Sequence, residues 1–254
     1  MRLSAAARDG VERIGTISSI HRYPVKSMRG EDLEEARVTF AGLAGDRVYA
    51  FVETANRSSS PWMTARHGHD WILFRPRFLD PALPTDENPF SEKYAAEVVT
   101  PEGDCFRADS PEFTQYLEKR YERSLRLRFS ERSMTDAQPI SVLGLSTIRA
   151  LSEETGTVLD PRRFRANFYA RWDSDIPFFE DTLIGRTLRI GDAVSVMALK
   201  KDGRCVMITL DPDNASPFPR LLECVARNHG GCAGIYGAVL GEGIVRRDDP
   251  IWLI

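Results

Sequence analysis

Short strand-like segments separated by glycine and proline turns constrain the fold of this chain more than any other feature. Ile14–Tyr23 alternates between apolar and polar residues and stops at Pro24, and Val48–Val52 is fully apolar. Such segments recur about every 8–12 residues, which is typical of a barrel or a sandwich rather than a parallel α/β sheet. Further segments of this kind are Val38–Phe40, Trp62–Arg66, Trp71–Phe74, Ala95–Thr100, Cys105–Ala108, Ser124–Phe129, Tyr236–Leu240 and Ile251–Ile254, with two more inside Thr182–Ala198.

Three short helices are predicted among these strands. Ser110 precedes Pro111, which is a common way to start a helix, and the apolar residues that follow share one face. Ser146–Glu154 is followed by a glycine that can end a helix. Ser216 is expected to cap a helix that runs to Asn228. We therefore expect an α+β, β-rich fold with two β-barrel-like domains and a few short helices.

The polar segment Ser130–Gln138 is the best candidate for a domain boundary. We predict a loose N-terminal tail at residues 1–11, a first domain at residues 12–130 and a second domain at residues 131–254. Phe78–Tyr94 is rich in Pro, Asp and Asn, and this composition predicts a surface loop.

The composition excludes several classes of protein. The 254 residues are 42% hydrophobic and 28% charged, which is ordinary for a soluble globular protein. The net charge of -3 gives no reason to expect nucleic acid or an anionic membrane as a partner. No apolar run approaches the ~20 residues that a spanning helix needs. The cysteines lack the paired C-x-x-C spacing of a zinc site and are too few for a disulfide framework, so we expect a cytoplasmic protein. They are Cys105, Cys205, Cys224 and Cys232.

The segment Lys200–Pro212 reads K-K-D-G-R-C-V-M-I-T-L-D-P and contains the most informative cysteine. We expect a tight polar turn that delivers Cys205 to the start of an apolar strand. A thiol in that place is held by the sheet and still reachable, as a nucleophile or a metal ligand must be. The alternative is that Cys205 is a small buried apolar residue, because free cysteine is commonly buried.

Two short segments in the first half could bind an anion. Lys26 and Ser27 follow a Tyr-Pro turn, where the lysine supplies a charge and the serine a donor. Asp46 precedes Arg47, and a carboxylate there could hold the guanidinium in place to receive an anion. The alternatives are an exposed loop lysine and a weak surface ion pair.

A third basic segment lies in the second half of the chain. Arg163, Arg165 and Asn167 alternate, so in an extended segment their side chains would share one face. That face would suit a large anionic ligand at a barrel mouth. A basic edge strand that resists aggregation is the alternative.

Other cofactor signals are weak or missing from the sequence. His67 with His69, and His229 with Cys232, have no second half at zinc-site spacing. Neither a dinucleotide fingerprint nor a P-loop sequence occurs, and no cysteine cluster could hold an iron–sulfur centre.

The sequence resembles the two-part MOSC proteins, in which an N-terminal MOSC β-barrel domain precedes the MOSC domain. This group includes bacterial N-hydroxylated-compound reductases and the mitochondrial amidoxime-reducing component. The resemblance extends from Ile14 to the C-terminus. The matching motifs are Y-P-V-K-S at Tyr23–Ser27, G-D-R at Gly45–Arg47, T-A-R at Thr64–Arg66, D-A-Q-P at Asp136–Pro139, R-F-R-A-N at Arg163–Asn167, F-E-D-T-L-I-G at Phe179–Gly185 and R-C-V-M-I-T-L-D-P at Arg204–Pro212.

The resemblance implies a molybdenum cofactor, in which a pyranopterin dithiolene with a terminal phosphate binds the metal. It assigns Cys205 as the protein ligand of the metal and as the catalytic thiolate, and a soft thiolate suits that metal. The remaining implied contacts are Lys26, Ser27 and Arg47 with the phosphate, Arg165 and Asn167 with the pterin, and the loop containing Asp136 and Gln138 against the pterin.

The implied function is reduction of N-hydroxylated small molecules by removal of oxygen, with electrons from an external donor such as a flavoprotein with a ferredoxin or a cytochrome. One alternative is a cofactor carrier or sulfur-transfer module that holds a persulfide on Cys205. Another is a binding barrel without a cofactor. No nucleic-acid or membrane partner is expected.

Overall fold

The structure is a computed structural model that describes residues 11–56, 61–80 and 94–254. The strands are β1 (Glu12–Arg22), β2 (Glu31–Leu33), β3 (Glu35–Thr39), β4 (Gly42–Leu43), β5 (Tyr49–Glu53), β6 (Arg75–Phe78), β7 (Ala96–Val99), β8 (Cys105–Arg107), β9 (Leu125–Phe129), β10 (Ile140–Gly144), β11 (Phe168–Trp172), β12 (Thr187–Ile190), β13 (Val194–Gly203), β14 (Cys232–Gly241), β15 (Gly243–Arg246) and β16 (Pro250–Leu253). The α-helices are α1 (Pro111–Tyr121), α2 (Leu145–Thr155) and α3 (Pro219–Asn228), and 3-10 helices span His69–Leu73, Pro161–Phe164, Phe179–Leu183 and Val206–Thr209.

Seven strands form a closed barrel. Their order is β11-β10-β14-β13-β12-β16-β1, and β1 closes the ring by pairing with β11. The short strand β2 extends the sheet beside β1. All of these pairings are antiparallel except that of β10 with β11. The first strand of the chain thus completes a barrel whose other strands all follow residue 139.

Two irregularities in β1 explain how it fits this barrel. Its buried isoleucines, Ile14, Ile17 and Ile20, are three residues apart and not two. The register shifts between Arg13 and Gly15 against β16, and again between Ile17 and Ser19 against β11. Each bulge inserts one residue and restores the inward direction of the next isoleucine. The barrel core therefore receives all three side chains.

A second core lies under the small sheets of the first half. Strands β5 and β9 pair, β6, β7 and β8 form a three-stranded sheet, and α1 packs nearby. Fully buried aromatic rings fill this core, and Phe51 meets Trp71 and Phe113 edge-on at centroid distances of 5.9 and 5.6 Å. The cap of α1 is as predicted, since Phe113 N donates to Ser110 Oγ at 3.1 Å.

The α+β, β-rich fold class is confirmed by these elements. The predicted division at residues 130 and 131 stays a prediction, and hydrogen-bonded sheets join residues from both sides of it, as in the pairings of β1 with β11 and of β3 with β15. Most of the predicted tail and residues 81–93 of the predicted Phe78–Tyr94 loop lie outside the described residues. No helix in the described part of the chain is long and apolar enough to cross a membrane.

Three local predictions were wrong. Helix α3 begins at Pro219 and not at Ser216, because Ser216–Phe218 is bonded to the preceding turn, with Phe218 N donating to Thr209 O at 2.8 Å. Trp71–Phe74 lies mostly in a 3-10 helix, where the fully buried Trp71 points into the second core. Trp62–Arg66 is not a strand either, and pairs only through a single bridge between Trp62 and Val52.

Candidate functional site

A small cleft brings together most of the residues that the sequence analysis singled out. Its cavity volume is about 90 Å³, and both halves of the chain line it. The predicted residues on its wall are Lys26, Ser27, Arg47, Asp136, Arg165 and Cys205.

The predicted turn and strand around Cys205 are wrong. Strand β13 continues through Lys201 and Asp202 to Gly203, and a 3-10 helix follows Cys205. Asp202 can lie in a strand because it is buried against Arg204, with 2.9 Å between the carboxylate and the guanidinium. The apolar run after the cysteine closes into a turn, as Ile208 N donates to Cys205 O at 3.1 Å. Cys205 thus lies at the junction of a strand and a short helix, partly exposed to the cleft.

Lys26 contributes a buried ammonium group to the cleft. Its side chain is 6% exposed, and Nζ donates to Met134 O at 2.8 Å and to Asp136 Oδ1 at 2.6 Å. Burial lowers the pKa of Lys26, and Arg47 and Arg165 add to this effect, whereas Asp136 opposes it. Burial alone would raise the pKa of Asp136, but the charge of Lys26 lowers it, and the net pKa lies below its ordinary value. The ion pair joins residues that are 110 positions apart in sequence.

Arg47 is fixed by the carboxylate that precedes it. Its Nη1 donates to Asp46 Oδ2 at 2.5 Å, and Asp46 is fully buried. Asp46 also accepts from Tyr23 N at 2.9 Å and from Ser133 Oγ at 3.1 Å. Burial alone would lower the pKa of Arg47, but the charge of Asp46 raises it above its ordinary value. The guanidinium therefore remains charged. The predicted pairing of Asp46 with Arg47 is therefore a buried contact rather than a surface ion pair.

Arg165 lies beside Arg47, and both guanidinium groups contact the Tyr23 ring. The guanidinium carbons of Arg47 and Arg165 are 4.6 and 4.3 Å from the centroid of that ring. Burial and the charge of Arg47 lower the pKa of Arg165 to about 10, although Tyr23 opposes this. Its Nη2 atom is buried and has no hydrogen-bond partner. An anion at this position would satisfy the donor and stabilise both charges.

The extended segment predicted for Arg163, Arg165 and Asn167 is wrong. Arg163 lies in a 3-10 helix, and Arg165 ends that helix in the left-handed conformation with φ of 55°. Arg163 turns toward Asp211, to which its Nη2 donates at 2.8 Å, and it also lines the cleft. The short helix forms because the Asp160 carboxylate accepts from Arg162 N at 2.8 Å and caps it.

Three of the predicted cofactor residues have positive φ angles. The values are 66° for Ser27, 50° for Arg47 and 55° for Arg165. This conformation is uncommon outside glycine and costs on the order of 1–3 kcal/mol per residue. Such strain clusters at binding sites, where the surrounding structure enforces it. Here it directs three polar side chains into one cleft.

Two of the predicted cofactor residues do not line the cleft. Asn167 is 1% exposed, and its Oδ1 accepts from Ser141 N and Ser141 Oγ, each at 3.1 Å. Ser141 is on the cleft wall, so Asn167 supports the wall from behind. Gln138 is partly exposed and is also absent from the wall, whereas Asp136 in the same loop is on it.

The sequence analysis missed several cleft residues, among them Ser141, Asp202, Arg204 and Tyr236. Arg204 is 6% exposed in its side chain and donates to Phe164 O and Ala233 O, each at 2.7 Å. Arg204 thereby joins the end of the 3-10 helix Pro161–Phe164, directly before Arg165, to strand β14. Burial raises the pKa of Asp202, although Arg204 opposes this. The only signal in the sequence was the position of Arg204 and Asp202 next to Cys205.

The histidines do not form a metal centre with the cysteines. His229 Nε2 lies 2.9 Å from Glu154 Oε1, and His67 Nδ1 lies near the Thr64 backbone. Within residues 11–56, 61–80 and 94–254, no group of three or more His, Cys, Asp or Glu side chains is placed to hold a metal ion. A metal at Cys205 would need its other ligands from a cofactor.

Two family profiles match this chain, one in each half. The MOSC domain profile matches residues 130–252, and the profile of the MOSC N-terminal beta barrel domain matches residues 14–77. The chain belongs to the MOSC family. MOSC domains are commonly associated with the molybdenum cofactor. No curated protein matches the sequence.

Several solved structures are similar to this chain at low sequence identity. The YuaD protein from Bacillus subtilis is 13% identical, with a TM-score of 0.51 over 96% of this chain and 97% of that one. YiiM from Geobacillus stearothermophilus is 18% identical, with a TM-score of 0.37 over 46% of this chain and 54% of that one. YiiM from Escherichia coli is 14% identical, with a TM-score of 0.35 over 49% and 57%. At this identity YuaD supports the fold alone.

Proposed function

We propose that this MOSC protein binds a molybdenum cofactor in the cleft and reduces N-hydroxylated small molecules. The observation that carries the proposal is that the Cys205 thiol shares the cleft with the cationic side chains of Lys26, Arg47 and Arg165, and that Arg165 has an unsatisfied buried donor. A thiol with a cluster of cations suits a ligand that combines a soft metal with an anionic group. Bound cofactor supplies the two-electron oxygen-atom transfer chemistry.

The residues of the cleft fit such a cofactor. Lys26, Ser27 and Arg47 offer charged and hydroxyl donors for a phosphate, and Arg165 offers the buried Nη2. Cys205 would be the protein ligand of the metal. Metal coordination favours a deprotonated thiol, as does nearby positive charge.

The protein holds these groups in place before the ligand arrives. Asp46 fixes Arg47, and Arg204 fixes the loop before Arg165. Because these contacts are buried, little side-chain entropy remains to be lost on binding, which favours affinity. Asp136 neutralises Lys26 at the cleft, and its exposed carboxylate can move aside for an anion.

The reaction needs electrons from outside the chain. Removal of an N-hydroxyl oxygen as water consumes two electrons and two protons. The sequence contains no dinucleotide fingerprint and no cysteine cluster for an iron–sulfur centre. We propose that a flavoprotein with a ferredoxin or a cytochrome supplies the electrons.

The test is production in a host that makes the cofactor, followed by analysis of molybdenum and pterin. We expect close to one of each per chain, and reduction of an amidoxime or an N-hydroxylated purine when a reduced dye is added. Absence of molybdenum and pterin would contradict the proposal. Bound cofactor without reduction, together with a persulfide on Cys205, would favour a carrier or sulfur-transfer role.

A further inference from the structure

A larger cavity shares a wall with the Cys205 cleft. Its volume is about 330 Å³, within the range of small-molecule sites. Arg163, Arg165 and Met207 line both cavities, whereas Cys205 and Lys26 line only the smaller one. The larger cavity is thus a neighbouring compartment rather than an extension of the thiol site.

The wall of the larger cavity is rich in arginine. Asp32 is the one carboxylate on that wall among the described residues. The carboxylates that pair with three of the arginines, Asp160, Asp211 and Asp213, do not line the cavity and lie 2.6–2.8 Å from the guanidinium groups. The arginines of the wall are Arg29, Arg162, Arg163 and Arg165.

Two of these arginines have buried donors without partners. In the described part of the chain, four buried side-chain nitrogen or oxygen atoms lack a hydrogen-bond partner, and Arg29 Nε and Arg165 Nη2 are two of them. Buried donors of charged groups are rarely left unsatisfied in a folded protein. Their occurrence on one cavity indicates that an acceptor is missing there.

Part of the wall is apolar. It is formed by the Tyr23 ring and by Ile72, Met207 and Leu210, all mostly buried, and His21 lies on the same wall. A ligand that matches both the arginines and this apolar part has an apolar body and an anionic substituent. A sugar phosphate or an inorganic anion would leave the apolar side without a partner.

We propose that the larger cavity binds an organic acid with an apolar body, with the carboxylate or phosphate against Arg29 Nε and the apolar body against Ile72 and Leu210. Together with the proposed function, on which this step rests, such a site predicts the class of substrate. The preferred N-hydroxylated substrates carry an acidic group, which the larger cavity holds while the N-hydroxyl group enters the Cys205 cleft.

The first test uses protein free of cofactor, so its result does not depend on the proposed reaction. Titration calorimetry compares 2-naphthoate with its neutral analogue 2-naphthamide. We expect one site for the acid and an affinity at least about tenfold lower for the amide, since the charge-assisted bonds are lost. Equal affinity for the two compounds, or no binding of the acid, would overturn the proposal.

Variants then locate the site. Arg29→Gln should weaken binding of 2-naphthoate about ten- to a hundredfold. Arg29→Lys keeps the positive charge near Asp213 but lacks Nε, so its loss of affinity for 2-naphthoate should be intermediate. This variant tests the site even if Arg29→Gln folds poorly. Arg77→Gln is the control, because Arg77 is 69% exposed and pairs with Glu97 away from the cavity. Unchanged affinity in folded Arg29→Gln and Arg29→Lys would refute the assignment.

The cofactor-loaded protein separates a second ligand from the cofactor itself. We expect loaded protein to keep binding 2-naphthoate, and an acidic N-hydroxylated substrate to have a lower KM than its amide with a similar kcat. Loss of 2-naphthoate binding on loading would show that the cavity belongs to the cofactor, and would overturn the proposal. If the protein takes up no molybdenum, the proposed function fails while the titration of cofactor-free protein still decides the acid site.

Discussion

Arg47 Nη2 donates a hydrogen bond to the main-chain oxygen of Arg165 at 3.1 Å. This bond joins the two halves of the chain at the point where their cationic side chains meet. Asp46 fixes the Arg47 guanidinium, and this bond links it to the main chain of Arg165, so the two like charges keep their relative position near the Tyr23 ring despite their repulsion. The cleft is therefore a product of both halves, and changes on either side should be felt on the other.

The first prediction concerns the two arginines of this contact. Arg47→Ala and Arg165→Ala should each lower cofactor affinity about ten- to a hundredfold, because a charge-assisted hydrogen bond contributes roughly 1.5–3 kcal/mol. Arg165→Lys should also reduce it, since lysine cannot reproduce the planar guanidinium. Molybdenum content after dialysis is the measurement. Arg149→Ala is the control, because Arg149 is 58% exposed, and equal loading of all four variants would show that these arginines do not bind the cofactor.

The second prediction is that Cys205 is the one cysteine needed for reduction. Cys205→Ser should fold normally and lose activity, because a serine hydroxyl does not replace a thiolate as a soft ligand. Cys224→Ser and Cys105→Ser should keep activity. Burial and the neighbouring Glu154 raise the pKa of Cys224 to about 11, so its thiol remains protonated at neutral pH. Reduction rates of the three variants, with circular dichroism as a folding check, decide the matter, and full activity in Cys205→Ser would contradict the assignment.

The sequence was informative where a pattern is local. Alternation located β1, and the serine before α1 together with the proline at its first position located its first turn. Lys26, Ser27 and Arg47 could be predicted to face an anion because lysine, serine and arginine are chemically suited to phosphate. Six of the eight predicted site residues line one cleft, and their roles in binding the cofactor remain predictions.

The sequence was uninformative where tertiary contacts override local preference. No local rule gives Ser27, Arg47 and Arg165 positive φ angles. Arg47, for example, is held by a residue far away in sequence, since its main-chain N donates to Tyr23 O at 2.6 Å. Asp202 resembles a turn residue until Arg204 and the barrel bury it within a strand. Asn167 carries a polar side chain that points to Ser141 rather than to the cleft, which depends on how β10 and β11 pair.

The third prediction concerns the buried pair of Asp202 and Arg204. Arg204→Met should destabilise the protein by about 3–5 kcal/mol, because it leaves a buried carboxylate without its partner. The double variant Asp202→Asn with Arg204→Met should lose less than the sum of the two single changes. The free energy of unfolding in urea measures each. Strict additivity would show that the two side chains do not interact in the folded protein.

The fourth prediction is that the protein needs a separate electron donor. Protein with bound cofactor should give no product from NADH and an amidoxime, because the sequence lacks a dinucleotide fingerprint. Addition of a reduced dye, or of a flavoprotein with a ferredoxin or cytochrome, should start turnover. Heat-treated protein with the same additions is the control for reduction by the donor alone. Steady oxidation of NADH by the protein alone would reveal an internal path for electrons.

The fifth prediction concerns Glu180, which lies in the 3-10 helix Phe179–Leu183 and places its carboxylate against the start of α2. It is fully buried, and its carboxylate accepts from Gly144 N at 3.1 Å, Thr147 Oγ1 at 2.8 Å and Trp172 Nε1 at 3.0 Å. Burial raises the pKa of Glu180 above its ordinary value of 4.5, although these bonds oppose the shift. The folded state therefore holds this proton more tightly than the unfolded state.

The sign of the pH dependence follows from this difference. The stabilising contribution of the Glu180 proton is complete below pH 4.5 and is lost as the pH rises through the folded pKa. The loss amounts to about 1.4 kcal/mol for each pH unit between the folded and unfolded pKa values. Glu180→Gln cannot titrate. The free energy of unfolding of wild type relative to this variant should therefore fall as the pH rises above 4.5.

Glu154, near the end of α2, provides a control of opposite sign. Although burial opposes it, hydrogen bonds from Asn228, Cys224 and His229 lower the pKa of Glu154. Its contribution to stability is therefore present above its unfolded pKa and is lost as the pH falls through the folded value. Urea unfolding of Glu154→Gln and Glu180→Gln between pH 4 and pH 8, roughly the range in which such carboxyl groups titrate, should give differences from wild type that slope in opposite directions. A difference for Glu180→Gln that does not change with pH would show that Glu180 titrates normally and that its burial has no electrostatic cost.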